Sequence, residues 1–171
     1  MDLAIRAAGL ADIPALLALY KLLDIEPEPE MPIEQASARF LDLTSNPGHR
    51  IYVAEFEQKI VGTFALIFVG GISHGARDSC IVEDVVVAPE VQGAGIGKQM
   101  MRFAMQRCAS GDCYKLVLSS HLDRSHAHRF YESLGFRKHG YSYLIDRFGD
   151  GPELALIRAT RASPIDAPTA P

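Results

Sequence analysis

The sequence contains no tryptophan, only three cysteines and no long run of apolar residues. No stretch approaches the ~18 consecutive apolar residues of a membrane-spanning helix, so we expect no membrane partner. The cysteines are odd in number and none belongs to a CxxC pair, which argues against a disulfide framework and against a zinc site. We therefore expect reduced thiols and no bound metal.

Positive charge is also scarce, because the 17 lysines and arginines are outnumbered by 21 acidic residues, which gives a net charge of −4. A chain of this charge has no general attraction to nucleic acid, so any anion must be bound by a local site. The first residues, MDLAIRAAGLADIP, lack the cationic start and apolar core of a secretory signal. We expect a cytoplasmic protein without a nucleic-acid partner.

The length and composition indicate one globular domain. The chain has 171 residues, of which 48% are hydrophobic and 22% charged, and these values are ordinary for a domain with a proper core. We predict that the domain covers residues 1–160. Residues 161–171 hold too few apolar side chains to order themselves, so we predict a disordered C-terminal tail.

Apolar periodicity predicts a mixture of strands and helices, with Asp12 capping the first helix. An exposed acidic linker is expected at residues 26–30, where two prolines interrupt the pattern. Further strands are expected around residues 136–145 and 154–157. The main predicted strands are residues 3–7, 51–56, 60–69, 81–87 and 115–119, and the predicted helices are residues 12–24 and 33–43, the stretch from the glycine loop to Cys108, and residues 125–134.

The central feature is the stretch 80–102, which reads CIVEDVVVAPEVQGAGIGKQMMR. An apolar, β-branched run is followed by three glycines at alternate positions and then by an amphipathic helical pattern. Glycines let the backbone approach a ligand closely, and the first turn of a helix offers unpaired N–H groups to an anion. The stretch predicts a pyrophosphate site, with an ordinary strand-to-helix turn as the alternative.

Two familiar phosphate loops do not fit this stretch. A Walker loop needs a glycine where Gln92 stands and a serine or threonine where Gln99 stands. A dinucleotide fingerprint needs a third glycine at the position of Lys98, so it is kept only as a remote alternative.

The loop Gln92-Gly93-Ala94-Gly95-Ile96-Gly97, taken with RFYESLGF at residues 129–136, resembles the GNAT superfamily of acyl-CoA-dependent N-acetyltransferases. The resemblance covers about residues 3–147, and the order of predicted elements also matches. It implies an α/β fold with a central mixed β-sheet flanked by helices. It also implies acetyl-CoA as co-substrate, a small-molecule amine as acceptor, and no metal. A homodimer is a further expectation.

The sequence does not identify the acceptor amine. VEDVVV and CYKLVLSS look similar to glucosamine 6-phosphate N-acetyltransferases, whereas SSHLDRSHAHRFY is more similar to aminoalkylphosphonate N-acetyltransferases. The acceptor is expected to enter between the linker at residues 26–30 and the loop at residues 70–79. Two other functions remain as alternatives: a non-catalytic CoA-binding or sensing domain on the same fold, and a protein N-acetyltransferase.

The resemblance also assigns cofactor contacts. Strand backbone would pair with the pantetheine arm, loop amides would hold the pyrophosphate, and neighbouring parallel strands would have to separate to admit the arm. Arg124 stands where many family members have asparagine, which puts one pantetheine contact in doubt, and it is a candidate to add charge near the phosphates. The assigned contacts are Val85, Val86, Val87, Gln92, Gly93, Ala94, Gly95, Ile96, Gly97, Lys98 and Arg124. The side chains of Lys98, Arg102 and Arg129 are further candidates to add positive charge near the phosphates. The alternative is that they lie on a solvated helix surface.

The expected reaction is attack of a neutral amine on a thioester, so a base is needed. Glu83 and Asp84 interrupt an apolar strand, and as adjacent strand residues they are expected to point to opposite faces. Asp84 is the first candidate for the base and Glu83 the second, with a structural carboxylate as the alternative. Tyr131 stands at the position of the family's general acid and would protonate the departing thiolate; its alternative is aromatic packing.

Overall fold

The computed structural model describes residues 3–23 and 31–144. The chain divides into two compact units, residues 1–137 and residues 138–171. Within the second unit the described residues, 138–144, form no helix or strand. The strand predicted around residues 136–145 is therefore wrong for residues 136–144, where Tyr141 and Tyr143 are about nine-tenths exposed and have no buried face to stabilise a strand. The predictions for residues 26–30, 154–157 and 161–171 fall outside the described residues.

The first unit contains five strands, five α-helices and two short 3-10 helices among its described residues. The turn between β2 and β3 places Glu57 and Gln58 in the left-handed region, which gives a tight hairpin as predicted. The strands are β1 Leu3–Ala7, β2 His49–Phe56, β3 Lys59–Val69, β4 Ser79–Val87 and β5 Lys115–Val117. The helices are α1 Ile13–Tyr20, α2 Ile33–Ser45, the single turn α3 Ser73–Ala76, α4 Ile96–Ser110 and α5 Ser125–Ser133.

The strands form one mixed sheet in the order β1-β2-β3-β4-β5. The first three pairings are antiparallel, and β4 pairs with β5 in parallel. A parallel pair needs a crossover, and α4 supplies it between β4 and β5. This arrangement confirms the predicted mixed sheet.

Alternate residues of β2 and β3 face two apolar clusters, because successive strand side chains point to opposite faces. One cluster packs α1 and α2 on the sheet and consists of Ile13, Leu16, Ala36, Phe40, Ile51, Val53 and Ala65. The other packs α4 on the sheet and includes Tyr52, Ala54, Phe64, Leu66, Met100, Met101 and Ala104. The predicted apolar stripe of α4 is thus confirmed as core.

The thiols predicted to be reduced are free in the structure. Cys80 and Cys108 are buried and Cys113 is partly buried. A hydrogen bond with the Cys80 thiol, together with burial, raises the pKa of Cys108, so this thiol stays protonated and unreactive. Within residues 3–23 and 31–144, no group of three or more histidine, cysteine or acidic side chains could hold a metal ion. In the same part of the chain, no helix is long and apolar enough to cross a membrane.

Asp12 precedes α1, as predicted, but its carboxylate does not bond to that helix. It accepts a hydrogen bond from the Gly9 backbone N–H at 2.8 Å and two from the Arg6 guanidinium at 2.7 and 3.0 Å. The Arg6 hydrogen bonds lower the pKa of Asp12 against the opposing effect of burial. The carboxylate therefore ties the end of β1 to the start of α1.

We predict that Asp12→Ala destabilises the fold by about 1–3 kcal/mol, because the Gly9 N–H and Arg6 lose a charged acceptor. Since the folded pKa of Asp12 is lowered, its contribution is present above its ordinary value of about 3.9 and is lost as pH falls through the folded pKa. Chemical denaturation between pH 3 and pH 7 measures this. Asp42→Ala is the control, because its pairing with Arg39 is exposed and should contribute under about 0.5 kcal/mol.

Candidate active site

The site begins where β4 and β5 separate. Their described ladder runs from Ser79 with Lys115 to Ile81 with Val117 and goes no further. Beyond it, β5 no longer pairs with β4 within the described part of the chain, so an extended ligand could add to this edge of β4. The separation predicted for a pantetheine arm is present, although β5 is two residues shorter than predicted.

A cavity of about 260 Å³ occupies this separation. Its walls come from β4, from the segment after β5, from α5 and from the end of α1. It is lined by Leu23, Val82, Glu83, Asp84, Val85, Leu118, Ser119, Ser120, His121, Arg124, Ala127 and Tyr131. The cavity thus brings together Glu83, Asp84, Val85, Arg124 and Tyr131 from the sequence-predicted set. Leu23 was missed, because nothing in its local pattern indicates which distant strands it meets.

The glycine loop follows β4 after a short 3-10 turn, Pro89–Val91, and has the geometry expected of an anion site. Gly93 and Gly95 take left-handed φ values of +82° and +83°, which glycine adopts without strain. α4 then begins at Ile96, so its first backbone amides have no acceptor within the helix. These amides and the positive end of the helix dipole favour a phosphate at this point.

Two residues of the predicted loop have structural contacts of their own. The Gln92 side chain donates a hydrogen bond to the Val87 carbonyl oxygen at 3.0 Å, which fixes the loop to the end of β4. Gly97 lies inside α4, and a Cβ placed there would come within 3.3 Å of the Phe130 ring. The third glycine is therefore needed for the close approach of α5 to α4.

The two carboxylates line the same cavity, which corrects the expectation that Glu83 and Asp84 face opposite sides. The pairing of β3 with β4 shifts register, with Thr63 opposite Val86 and Ala65 opposite Glu83. Asp84 lies in this β-bulge with φ +54°, a left-handed conformation. Strict alternation fails at a bulge, so two adjacent residues of β4 can line one cavity.

Glu83 and Tyr131 interact electrostatically across the cavity. Burial, followed by the negative charge of Asp84, raises the pKa of the Glu83 carboxyl. Burial also raises the pKa of Tyr131; the positive charge of Arg124 opposes this rise and the charge of Glu83 adds to it. The cavity therefore combines a carboxylate with increased basicity and a phenol that stays protonated at neutral pH.

Arg124 also lines the cavity. It precedes α5 directly, and its guanidinium donates a hydrogen bond to the Leu23 carbonyl oxygen just beyond α1. This contact links two elements that are about a hundred residues apart in sequence. Its charge also acts on Tyr131, so Arg124 contributes to the cavity although the residue is exposed.

The basic side chains of α4 lie elsewhere. Lys98 and Arg102 line a separate open groove of about 530 Å³ between α4 and β1. The groove also contains Leu3, Ile5 and Phe103, and it meets the glycine loop at Gly95. The structure places the Arg102 side chain on the surface of α4, which is the alternative interpretation given for this residue above.

Residues 16–136 match the model of the acetyltransferase (GNAT) family. This match covers more than half of the chain, and it includes the second part of α1, the whole of β4, the glycine loop and the Tyr131 motif. The chain belongs to the GNAT family of N-acetyltransferases.

Particular relatives agree with this assignment. A glucosamine 6-phosphate N-acetyltransferase from Trypanosoma brucei brucei is 30% identical over 146 residues, covering 85% of this chain and 97% of that protein. A solved chain from Agrobacterium tumefaciens is 33% identical with a TM-score of 0.80, covering 84% of this chain and 99% of that one. The crystal structure of glucosamine-6-phosphate N-acetyltransferase from Arabidopsis thaliana has a TM-score of 0.72 at 25% identity, covering 88% and 100%.

The GNAT family uses acetyl-CoA. An acetyltransferase structure from Clostridium acetobutylicum, solved with acetyl-CoA, matches this fold with a TM-score of 0.67 at 18% identity over 85% of this chain and 96% of that one. That likeness supports the fold.

We expect acetyl-CoA to raise the melting temperature, because a ligand that binds only the native state stabilises it. At a hundred times its Kd the gain is about 2.7 kcal/mol, or roughly 5–10 °C for a chain of this size. Gly95→Glu should abolish the shift by placing a carboxylate at the loop. Gly75→Glu is the matched control, since Gly75 is also left-handed and unobstructed but lies in α3. A shift retained in Gly95→Glu would contradict the loop assignment; thermal scans with and without acetyl-CoA measure it.

Proposed function

We propose that the protein transfers the acetyl group of acetyl-CoA to a primary amine of a small molecule, by direct attack in a ternary complex. The observation that carries this proposal is the cavity lined by Glu83, Asp84 and Tyr131, beside the part of β4 that does not pair with β5. Family membership supports the acetyl-CoA chemistry. No cysteine lines this cavity, which favours direct transfer over an acyl-cysteine intermediate.

The cofactor would extend from the glycine loop into the separation of β4 and β5. Amides from Gln92 to Lys98 would hold the pyrophosphate, and backbone groups from Val85 to Val87 would pair with the pantetheine arm. Acetyl-CoA supplies the activated acyl group when bound. The Gln92 contact with Val87 keeps the loop and the strand in a fixed relation, so both parts of the cofactor would meet a pre-formed surface.

Glu83 is the better placed general base, although the sequence favoured Asp84. An amine with a pKa near 10.4 is neutral in only about one molecule in 2,500 at pH 7, a deficit of about 4.6 kcal/mol. A carboxylate with a raised pKa accepts the proton more readily than an ordinary one. Glu83 has that raised pKa, its charge acts on Tyr131 and it is partly buried, whereas Asp84 is exposed.

The protons balance as follows. The ammonium would give one proton to the Glu83 carboxylate, and the neutral nitrogen would attack the thioester carbon. The carbon–sulfur bond would break as the amide forms, and the CoA thiolate would take the proton of the Tyr131 hydroxyl. The nitrogen loses a second proton as it becomes an amide, and this proton would return to the Tyr131 phenolate, while the proton held by Glu83 leaves to solvent. Because a thiol is more acidic than a phenol, the transfer from Tyr131 to the thiolate is uphill in water and gives a modest acceleration. The positive charge of Arg124 would stabilise the phenolate that results.

Glucosamine 6-phosphate is the first acceptor to test, because relatives that match most of this chain carry that name. The cavity offers carboxylates to an ammonium group and one guanidinium, from Arg124, to an anion. A panel of primary amines, including amino sugars, their phosphates and aminoalkylphosphonates, is assayed by CoA release. If acetyl-CoA binds but none of the amines in the panel causes CoA release, a CoA-sensing domain would be favoured instead.

We predict that Tyr131→Phe lowers kcat by about ten- to a hundred-fold with little change in acetyl-CoA affinity, because it removes the proton donor and keeps the ring. CoA-release kinetics and acetyl-CoA titration measure the two quantities. Tyr114→Phe is the control, since Tyr114 stacks on His74 and does not line the cavity. Equal kcat values for the two variants would reduce Tyr131 to a packing residue.

A second prediction separates the two carboxylates. If Glu83 is the base, the acid limb of the kcat/KM profile lies above the ordinary glutamate pKa of about 4.3, and Glu83→Gln removes most of the activity. Asp84→Asn removes a neighbouring negative charge, so the pKa of Glu83 falls and the acid limb moves to lower pH. Asparagine tolerates the left-handed conformation of residue 84, so the bulge is preserved. Loss of turnover in Asp84→Asn, with Glu83→Gln active, would instead make Asp84 the base.

A further inference from the structure

The cavity between β4 and β5 is lined by groups of opposite charge that come from different elements. Among the described residues that line it, the acidic side chains are Glu83 and Asp84 of β4. The basic side chains are His121 and Arg124, which belong to the turn at residues 121–124 between β5 and α5. A ligand that complements both elements carries an ammonium group at one end and an anion at the other.

Hydrogen bonds fix the turn at residues 121–124. The Arg124 backbone N–H donates to the His121 carbonyl oxygen at 3.0 Å, and Nε2 of His128 in α5 donates to the same oxygen at 2.9 Å. The Asp123 backbone N–H donates to His121 Nδ1 at 3.3 Å. The Arg124 guanidinium donates to the Leu23 carbonyl oxygen. The side chains of His121 and Arg124 are therefore held together at the cavity, next to the end of α1.

Nε2 of His121 carries a proton in both protonation states of the ring. In the neutral ring Nδ1 accepts the Asp123 hydrogen bond, so the proton is on Nε2. In the charged ring both nitrogens carry protons, and Nδ1 then faces the Asp123 carboxylate at 3.5 Å. Because Nδ1 is turned towards its own backbone, Nε2 is at the far end of the ring. His121 therefore offers an Nε2–H donor in either state.

Further donors surround this N–H group. A guanidinium has five N–H donors, so the bond of Arg124 to the Leu23 carbonyl oxygen leaves others for a ligand. Ser119 and Ser120 also line the cavity, and each has a hydroxyl that can donate. A phosphate or phosphonate group presents three acceptor oxygens with negative charge, which makes it a suitable ligand for such a set of donors.

We propose that the acceptor is a primary amine that also carries a phosphate or phosphonate group, and that His121 is a specificity-determining residue whose Nε2–H donates to this group beside the Arg124 guanidinium. The ammonium end of the same molecule lies at Glu83, which takes its proton before attack. The edge of β4 at residues 85–87 is left to the pantetheine arm. This inference rests on the proposed function and names the class of acceptor.

Glucosamine and glucosamine 6-phosphate form a matched pair of probes, because they differ only in the phosphate. One hydrogen bond to a charged group is worth about ten-fold, so donors from His121 and Arg124 together should make kcat/KM at least about a hundred-fold higher for the phosphorylated amine. His121→Ala should lower this preference about ten-fold, while kcat/KM for glucosamine changes by less than about three-fold. Ethylamine and aminoethylphosphonate give the corresponding pair for a phosphonate. CoA release at varied amine measures the ratios.

Two further variants test the role of the Nε2–H group. His121→Gln places an amide N–H near the position of Nε2, so it should keep most of the preference that His121→Ala loses. His126→Ala is the control, because His126 is exposed on α5 and does not line the cavity, and it should keep the wild-type preference. The acetyl-CoA KM and the melting temperature are measured for each variant, and both should stay close to the wild-type values in His121→Ala.

The outcomes separate the two levels of the proposal. A wild-type protein that binds acetyl-CoA but releases CoA with no amine of the panel refutes the proposed function, and the acceptor class falls with it. An active wild-type protein with equal kcat/KM for the two members of each pair overturns the acceptor class alone.

The assignment of His121 has its own refutations. It is wrong if His121→Ala keeps the full preference for the phosphorylated amine, or if His121→Gln loses as much of it as His121→Ala. An equal fall in kcat/KM for both members of a pair, or a rise in the acetyl-CoA KM, also overturns it, since His121 would then act on the cofactor or on the whole cavity.

Discussion

The site depends on the interruption of strand pairing along β4. On one side, β4 leaves β5 after Ile81, and its remaining backbone groups face a cavity. On the other side, its pairing with β3 shifts register at the bulge that contains Asp84. Unpaired backbone groups are costly when buried and satisfied when a ligand adds to the sheet, so the same defect that weakens the sheet creates a binding surface.

The surrounding elements hold this interrupted strand in place. The glycine loop is tied back to β4 through Gln92, and Gly97 allows α5 to approach closely enough for Tyr131 to reach the cavity. Arg124 joins the start of α5 to the backbone just beyond α1. The electrostatics follow from this assembly: two carboxylates and a phenol share a partly dehydrated space, which raises the pKa values of Glu83 and Tyr131.

Much of the fold was predictable, because its signals are local. The hairpin of β2 and β3, the glycine loop and the apolar stripe of α4 each follow from residues close together in the chain. The strand predicted around residues 136–145 failed over residues 136–144, because the alternation of Tyr141 and Tyr143 does not reveal that neither side chain finds a buried surface. Asp12 was placed correctly next to α1, but its partner Arg6 lies in β1, and local pattern does not identify a partner in another element.

The sequence by itself determined the cofactor class and the candidate residues, since the glycine spacing and the tyrosine motif are short-range patterns with a direct chemical meaning. Only the tertiary structure decided how those residues combine. The bulge at Asp84 arises from the register between two strands, and that register brings Glu83 and Asp84 into one cavity. The hydrogen bond from Arg124 to the Leu23 carbonyl oxygen joins the start of α5 to the chain just beyond α1, and such a contact forms only when these distant segments have packed together.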